Sequence, residues 1–363
     1  MSETVCELKR TPLYGRHLAA GARMVPFSGW DMPVQYSGII EEHMHTRSKA
    51  GIFDICHMGE FFLRGARAAE ELDRLVTCRV DDLSEGRCRY GFLLNDEGGI
   101  IDDLIVFRIR EDEFELVVNA GTVEKDKRWI LGRISSGDMF SDGSANIAKL
   151  DIQGPLSPGI MGEVCGDKAV MSLKRFSFKY MDINGVTTMV SRTGYTGEEG
   201  YELFFPAEES ENFWDMFLAF DDVKPAGLGA RDTLRMEMGY SLYGNDIDEK
   251  RTPLEANLAK FVFMGKDFIG KEALVRRSKE GVKRVLTGFI CEGRRSARPH
   301  FTVYGGGKAI GEVTSGGFSP CLKKGIGLCY LEKDFNAESR EITLSDGKAE
   351  IKATVKHVPI YTR

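Results

Sequence analysis

Two adjacent aspartates, Asp102 and Asp103, interrupt the otherwise apolar segment 100–107. The segment follows a Gly-Gly pair and is rich in β-branched residues, which predicts a strand. Because side chains alternate along a strand, the two carboxylates are expected on opposite faces. A carboxylate among apolar side chains costs several kcal/mol unless it has a partner. The pair is therefore either satisfied by turn amides at the strand entrance or open to a ligand that carries N–H groups.

A glycine-rich polar loop, residues 193–202, joins two predicted strands and contains Tyr195 and Glu202. Its glycines allow another chain or a ligand to approach the backbone closely. Tyrosine rings can stack on a flat heterocycle, and a carboxylate can accept from an amino-pyrimidine edge. The loop is therefore a candidate binding site, with an ordinary hairpin loop as the alternative.

Arg231 stands at the start of a predicted helix, directly after the turn 227–230. The turn lacks the third glycine of a dinucleotide-binding fingerprint. A guanidinium at this position could hold a carboxylate of a ligand through its planar fork of donors. The alternative is an ion pair within the protein, with Asp232 or a neighbouring glutamate.

The histidines and the acidic turn do not have the spacing of a metal site. His43 and His45 are two residues apart and would not share a helix face, and no His-Glu-x-x-His motif occurs. His57 lies beyond a predicted strand, where a satisfied structural histidine is the favoured interpretation. The turn 244–249 lacks the twelve-residue spacing of a calcium loop, and capping explains it as well. No metal is expected.

Composition narrows the class of protein. A chain of 363 residues has room for two or three domains. The net charge of −6 argues against nucleic-acid binding, and no stretch approaches the roughly 18 apolar residues of a membrane span. The eight cysteines are scattered without a Cys-x-x-Cys pair, and the N-terminus is charged without an apolar core. These features predict reduced thiols, no signal peptide and a cytoplasmic location.

Helices and strands alternate at short spacing through most of the chain, which predicts an α+β or α/β class. The predicted helices cover residues 38–50, 66–76, 122–134, 209–219, 227–239 and 267–277. The predicted strands before residue 280 cover residues 51–55, 89–95, 100–110, 114–119, 148–153, 186–192 and 201–205. After about residue 283 short strands with regular turns predict a small barrel or sandwich, so a domain boundary is expected near residue 280.

Taken together, segments along the whole chain resemble the aminomethyltransferase, or T-protein, family of the glycine cleavage system. Each segment alone has low specificity, but their joint order and spacing are highly specific. The signature of the related folate-binding iron–sulfur assembly proteins, Lys-Gly-Cys-Tyr-x-Gly-Gln-Glu, does not occur. The matching segments are residues 11–14, 27–30, 53–58, 98–104, 153–155, 195–202, 227–235, 242–249, 252–255 and 314–320.

The resemblance implies a fold and a reaction. The fold is an α+β, three-lobed cloverleaf with two interleaved mixed α/β lobes in residues 1–280 and a C-terminal β-barrel in residues 281–363. The reaction transfers the methylene of an aminomethyl group, carried on the dihydrolipoyl arm of H-protein, to tetrahydrofolate. Ammonia leaves and 5,10-methylenetetrahydrofolate forms. Tetrahydrofolate is then the co-substrate, and lipoylated H-protein is the partner.

The resemblance also implies roles for individual residues. The essential acid of the family falls on Asp103, which would hold the pterin and handle a proton as a folate nitrogen attacks the methylene carbon. The folate-contacting positions fall on Tyr90, Asn119, Tyr195, Glu202, Arg231 and, with a looser alignment, Arg363. An arginine near the lipoyl entrance falls in the loop that contains Arg294, Arg295 and Arg298, without a choice among the three.

Two other functions are compatible with the same fold. One is a non-catalytic folate-binding protein, and the other is a folate-dependent demethylase that acts on a small methylated substrate. The intact aspartate pair, the intact segment 244–249 and the lack of a fused oxidoreductase domain favour the aminomethyltransferase. Only this function requires both Asp103 for turnover and a lipoylated partner.

Overall fold

The computed structural model describes residues 7–363, so Cys6 lies outside the described residues. The α-helices of this range are α1 (Tyr14–Ala19), α2 (Ile39–Ser48), α3 (Ala68–Leu75), α4 (Val123–Leu131), α5 (Ser157–Val164), α6 (Ser210–Leu218), α7 (Leu228–Met238) and α8 (Lys271–Glu280). None of the helices within residues 7–363 combines the length and the hydropathy that a membrane crossing needs.

The strands carry most of the architecture. They are β1 (Arg23–Phe27), β2 (Trp30–Gln35), β3 (Ala50–Asp54), β4 (Gly59–Arg64), β5 (Arg87–Leu94), β6 (Ile100–Arg110), β7 (Glu113–Val118), β8 (Phe140–Asp142), β9 (Ile147–Gln153), β10 (Phe178–Ile183), β11 (Val186–Ser191), β12 (Gly200–Pro206), β13 (Val223–Pro225), β14 (Arg284–Cys291), β15 (Thr302–Gly305), β16 (Lys308–Ser319), β17 (Lys324–Glu332), β18 (Glu341–Ser345) and β19 (Glu350–Lys356).

The chain divides into two compact units that it enters more than once. The first unit contains the described residues up to Phe61 together with Ala120–Glu124 and Asp142–Asp232. The second unit contains Phe62–Asn119, Lys125–Ser141 and Thr233–Arg363. Neither unit is therefore a continuous stretch of sequence.

A six-stranded sheet in the order β10-β11-β12-β9-β3-β13 forms the centre of the first unit. Its strands pair antiparallel, except that β13 runs parallel to β3. On β9, residues 148, 150 and 152 belong to the apolar core of the unit. Strand alternation sends Lys149, Asp151 and Gln153 to the opposite face, where they are also buried. The sheet therefore has one apolar face and one face with buried polar groups.

The second unit contains most of a five-stranded sheet in the order β5-β6-β7-β4-β8 and a closed six-stranded barrel. The barrel order is β14-β17-β16-β15-β18-β19, and β14 pairs with both β17 and β19, which closes the ring. Inward side chains such as Phe289, Val313 and Leu331 are completely buried in its core. The predicted mixed α/β class with a C-terminal barrel is confirmed, while the boundary near residue 280 stays a prediction.

The structure also contains strands that the sequence analysis did not predict, including β1, β2, β4 and β10. β1 and β2 each contain a proline, Pro26 and Pro33, which lacks a backbone donor and weakens a strand pattern. They form a two-stranded sheet of their own, where the lost donors do not interrupt a larger ladder. β10 has three exposed residues and lies at the edge of its sheet, so its apolar alternation is weak.

Candidate functional site

The aspartate pair lies at the start of β6, after a turn that requires glycine. A side chain at Gly99 would overlap the carbonyl of Glu249. This close approach lets the Ile100 amide donate to Asp248 and Arg251 carbonyls at 3.1 and 2.9 Å. The register between β5 and β6 shifts here, since Leu93 pairs with Asp102 and Leu94 with Ile100. A bulge of this kind changes the direction of the neighbouring side chains.

Asp103 is partly exposed and accepts a hydrogen bond on each carboxylate oxygen. The Tyr90 hydroxyl donates to Oδ2 at 2.9 Å, and Asn119 Nδ2 donates to Oδ1 at 2.9 Å. Tyr90 comes from the paired strand β5, while Asn119 directly follows β7. The β6–β7 register, which pairs Ile105 with Val117, places Asn119 opposite Asp103 when it is continued by two residues. The hairpin therefore brings the three predicted residues together.

Asp102 is completely buried and shares the same asparagine. Asn119 donates from its backbone amide to Asp102 Oδ2 at 3.0 Å and from Nδ2 to Asp102 Oδ1 at 3.0 Å. These donors come from the end of a neighbouring strand, not from amides of the entrance turn. The burial pattern along β6 agrees with the expected alternation, because Asp103 and Ile105 are half-buried between buried neighbours.

The environment of Asp103 favours its protonated form. Burial and the nearby Asp102 charge raise the pKa of Asp103 to about 7, against the opposing effect of the hydrogen bonds from Tyr90 and Asn119. A carboxyl group that changes charge near neutral pH can both accept and release a proton under ordinary conditions. This is the behaviour expected of a general acid–base group.

Lys125 is a cation beside the aspartate pair that the sequence analysis did not single out. It lies in the first turns of α4 and donates from Nζ to the Ile101 carbonyl at 2.7 Å and to Tyr243 Oη at 2.6 Å. It also pairs with Glu249 at 2.9 Å. The lysine therefore ties α4 to the start of β6 and to the turn 244–249.

A second group of the predicted residues lies on the polar face of the sheet in the first unit. Asp151 of β9 and Glu202 of β12 are direct cross-strand partners, and both are buried. Arg231 donates from Nη1 to Asp151 Oδ2 at 3.0 Å, and its guanidinium lies 4.9 Å from the Tyr195 ring centroid. The Thr193 hydroxyl donates to Glu202 Oε2 at 2.5 Å. The fold thus brings together three predicted residues, Tyr195, Glu202 and Arg231. Asp151, at the centre of this cluster, was not predicted from the sequence.

Two like-charged groups face each other in this cluster. Burial and the Glu202 charge raise the pKa of Asp151 to about 7, while Arg231 and a hydrogen bond from Gln153 oppose the shift. Gln153 donates from Nε2 to Asp151 Oδ1 at 2.6 Å and accepts from the Thr196 hydroxyl at 2.6 Å. Gln153 therefore connects Asp151 to the loop 193–202. Gly194 and Gly200 lack the side chain that would collide with Gln153.

Two elements hold Arg231 in place. Buried Glu42 of α2 accepts from the Gly227 amide at 2.8 Å, which fixes the turn before α7. The ion pair with Asp151 then spans 80 residues of sequence. The structure therefore shows the alternative to a ligand clamp: Arg231 forms an ion pair within the protein, and its partner Asp151 could not be identified from sequence spacing.

His57 is buried but is not a fully satisfied core histidine. Its Nδ1 has no hydrogen-bond partner among the described residues, and its ring packs edge-on against Phe27 with centroids 5.6 Å apart. Burial, followed by the charges of Arg231 and Lys149, lowers its pKa to about 4, although Asp54 acts in the opposite direction. His57 is therefore neutral at physiological pH.

The remaining candidates have structural or exposed positions. In the turn 244–249, Asp246 is buried and pairs with Arg235 at 2.8 Å, and the Ser315 hydroxyl donates to it. The turn therefore holds the barrel strand β16 through a carboxylate and is not organised as a calcium loop. Arg363 is exposed at the end of the chain. The three arginines of the loop after β14 are also exposed, namely Arg294, Arg295 and Arg298.

Two family models match the chain. The first, the GCVT N-terminal domain, covers residues 13–266, and the second, the glycine cleavage T-protein C-terminal barrel domain, covers residues 284–362. The second match contains all six strands of the closed barrel.

Full-length relatives agree with these matches. The chain is 41% identical over 362 residues to the aminomethyltransferase of Thermotoga petrophila, covering 98% of each chain. It is 42% identical over 356 residues to that of Halothermothrix orenii, covering 97% of this chain and 99% of the relative. The crystal structure of glycine cleavage system aminomethyltransferase T from Bartonella henselae superposes with a TM-score of 0.91 at 32% identity, covering 98% of both chains.

Proposed function

Because the chain belongs to the glycine cleavage T-protein family and is an aminomethyltransferase by that membership, we propose that its substrates are aminomethylated H-protein and tetrahydrofolate. The methylene carbon leaves the lipoyl sulfur and the amine nitrogen and becomes bonded to N5 and N10 of the folate. The two protons of those folate nitrogens leave with the products, so that ammonia, the dihydrolipoyl thiol and 5,10-methylenetetrahydrofolate result. The atoms balance without an external oxidant or reductant.

The arrangement around Asp103 is the observation that carries the proposal. The reaction needs a group that takes a proton from a folate nitrogen near neutral pH, and burial beside Asp102 gives Asp103 a pKa in that range. Tyr90 and Asn119 hold one carboxylate oxygen each, so the orientation of the carboxylate is fixed. We therefore assign Asp103 the proton-handling role and Tyr90 and Asn119 the role of lining the pterin site.

The proposal gives the cluster in the first unit a folate-binding role. Glu202 is a buried acceptor that suits the amino group and ring N–H of a pterin. Tyr195 offers a ring face, and Arg231, held by its ion pair with Asp151, is assigned to the folate side on the family resemblance. Arg363 is assigned to the glutamyl tail of folate on the family resemblance alone. A cytoplasmic location and the absence of a metal stay predictions.

The direct test mixes the purified protein with aminomethylated H-protein and tetrahydrofolate and follows ammonia release. Ammonia should appear in step with 5,10-methylenetetrahydrofolate, and neither should form when H-protein or tetrahydrofolate is omitted. Methylene transfer from a small N-methylated amine instead of H-protein would point to the demethylase function. Folate binding without either reaction would point to a binding protein and would refute the proposal.

Asp103→Asn tests the residue assignment. The substitution keeps the size of the side chain but removes the proton acceptor, so turnover should fall by about 10²- to 10⁴-fold, the usual range for a positioned acid–base group. Tetrahydrofolate binding, measured anaerobically by calorimetry, should change by less than about tenfold.

Asp112→Asn is the matched control for this variant. Asp112 is exposed in the turn between β6 and β7, on the same hairpin as Asp103, and its substitution should leave turnover unchanged. Full activity of Asp103→Asn would show that another group handles the proton.

A further inference from the structure

A single asparagine connects the two aspartates. Asn119 donates from its backbone amide to Asp102 Oδ2, and the two hydrogens of its Nδ2 group are shared among Asp102 Oδ1, Asp103 Oδ1 and the Asp103 carbonyl. The four distances lie between 2.9 and 3.1 Å. The side-chain amide therefore lies between the two carboxylates and orients both.

Asp102 is the more deeply buried of the two aspartates and anchors the asparagine. It is completely buried, whereas Asp103 is partly exposed. Both of its oxygens accept from the same residue, one from the Asn119 backbone and one from the Asn119 side chain. The bond from Nδ2 favours one rotation of the asparagine side chain, because a rotated amide would turn its carbonyl oxygen toward a carboxylate. In this orientation Nδ2 also reaches Asp103 Oδ1.

We propose that Asp102 is a positioning residue for the reaction: it anchors Asn119, and the anchored amide holds the Asp103 carboxylate in a fixed orientation against the Tyr90 hydroxyl. Asp102 itself does not need to touch a substrate. The inference rests on the proposed function only in that it takes Asp103 to be the proton-handling group. The inference gives a role to the Asp102 carboxylate, whose burial beside Asp103 is energetically costly.

Charged and titratable side chains approach the aspartate pair from several elements. Tyr90 faces Asp103 from β5, and Asp102 precedes it on β6. From α4, Lys125 reaches the Ile101 carbonyl, where it also meets Tyr243 and Glu249. Among these groups, Asp102 is the one whose negative charge makes Asp103 harder to ionise. Removing that charge should therefore favour ionisation of Asp103.

The test titrates Asp103 directly. Protein labelled with carbon-13 at the aspartate side-chain carboxyls is followed by NMR from pH 4.5 to 9, and the Asp103 signal is identified by its loss in Asp103→Asn. In Asp102→Asn the apparent pKa of Asp103 should fall by about one unit or more, since the like charge is gone. In the control Asp112→Asn, the apparent pKa of Asp103 should not change.

Activity measurements complement the titration. Asp102→Asn should reduce turnover by about tenfold or more, because the amide no longer has two carboxylate acceptors to fix it. The tetrahydrofolate Kd should stay within about threefold, and the pH profile of turnover should move to lower pH together with the NMR titration. Unchanged turnover with an unchanged Asp103 pKa in a folded Asp102→Asn protein would overturn the inference.

Asn119→Ala provides a second route if Asp102→Asn does not fold. It keeps both charges but removes the amide, so the pKa of Asp103 should rise through the loss of a hydrogen bond to its charged form. A pKa of Asp103 that stays constant in Asn119→Ala would also overturn the inference. The NMR readout needs neither folate nor H-protein, so a failure of the proposed function would leave it intact and would be recognised separately.

Discussion

Two opposing influences act on the pKa of the Asp103 carboxyl group. It is held by two hydrogen-bond donors, which favour the anion, and it lies half-buried beside a second carboxylate, which disfavours the anion. The second influence is larger, so the group changes charge near neutral pH. A comparable balance recurs at Asp151, where Glu202 provides the like charge and Arg231 the opposite one.

Glu202→Gln tests the cluster in the first unit at the level of one side chain. The substitution removes a charged acceptor from a buried position while keeping its shape. A hydrogen bond to a charged group contributes about 1.5–3 kcal/mol, so the tetrahydrofolate Kd should rise by roughly tenfold to a hundredfold. Anaerobic calorimetry measures this change directly.

The control for Glu202→Gln is Glu163→Gln, at an exposed position on α5 in the same unit. Its Kd should equal that of the unmodified protein. A Glu202→Gln protein that binds tetrahydrofolate with the original affinity would contradict the binding role of Glu202.

Several site residues could be predicted from the sequence. Others could not, because their role depends on contacts between distant segments. Asp103 stands out because two acidic residues interrupt an apolar strand, and Tyr90 and Asn119 follow from the family resemblance. Asp151 gives no such signal, because an aspartate within a strand attracts attention only when its cross-strand partner is known. The pairing of β9 with β12 brings Glu202 opposite Asp151 across about 50 residues of sequence.

At the level of elements, the turn before β6 determines where the aspartates lie. Gly99→Ala should push the Glu249 carbonyl away, weaken the two hydrogen bonds that Ile100 makes to the segment 248–251, and displace Lys125 from Glu249. Overpacking of this kind costs about 1–3 kcal/mol of unfolding free energy. The midpoint of denaturant unfolding should fall accordingly, and turnover should fall with it.

Gly159→Ala is the matched control. Gly159 lies within α5, and no atom lies within 4 Å of the position where its side chain would be placed. Since alanine favours a helix over glycine, this variant should be as stable as the unmodified protein or more stable by up to about 1 kcal/mol. Equal stability of Gly99→Ala and Gly159→Ala would show that the turn tolerates a side chain.

The elements that carry the site were predicted more accurately than those around them. The strand expected at residues 100–110 coincides with β6, because a Gly-Gly turn and a long β-branched run define both of its ends. The barrel strands after residue 283 also follow from regular turns. β1 and β2 were missed because their prolines contradict a strand pattern, although a small two-stranded sheet accepts them.

For the molecule as a whole, the raised pKa values of Asp103 and Asp151 make stability depend on pH. An unfolded chain releases these protons near pH 3.8, whereas the folded protein keeps them until about pH 7. Between these values the folded state binds more protons than the unfolded state, so the free energy of unfolding falls as the pH rises. The raised pKa values of these two acids therefore lower the free energy of unfolding at pH 8 relative to pH 4.

Asp103→Asn should relieve part of this effect. At pH 8 the variant should be more stable than the unmodified protein by about 1–3 kcal/mol, and the difference should shrink as the pH falls toward 4. Urea unfolding at both pH values measures it, with Asp112→Asn as the control. A stability difference that is the same at pH 4 and pH 8 would contradict the raised pKa of Asp103 in the folded protein.

The division into units is the part of the whole molecule that local sequence patterns do not reveal. The family resemblance implies interleaving, but hydrophobic periodicity reports only on neighbouring residues. For example, β13 pairs in parallel with β3 through residues Val223–Pro225 and Ala50–Ile52. Neither segment contains a sequence pattern that predicts this pairing.

That parallel contact has a consequence for synthesis of the chain on the ribosome. β3 is made about 170 residues before β13, and at the usual rates of translation the delay is roughly 10–30 s. During this interval the β3 edge that will later accept β13 has no partner from its own sheet, although Ile52 is an apolar residue at that edge. The nascent first unit therefore presents an unfinished sheet edge to chaperones or to other nascent chains until residue 225 has emerged.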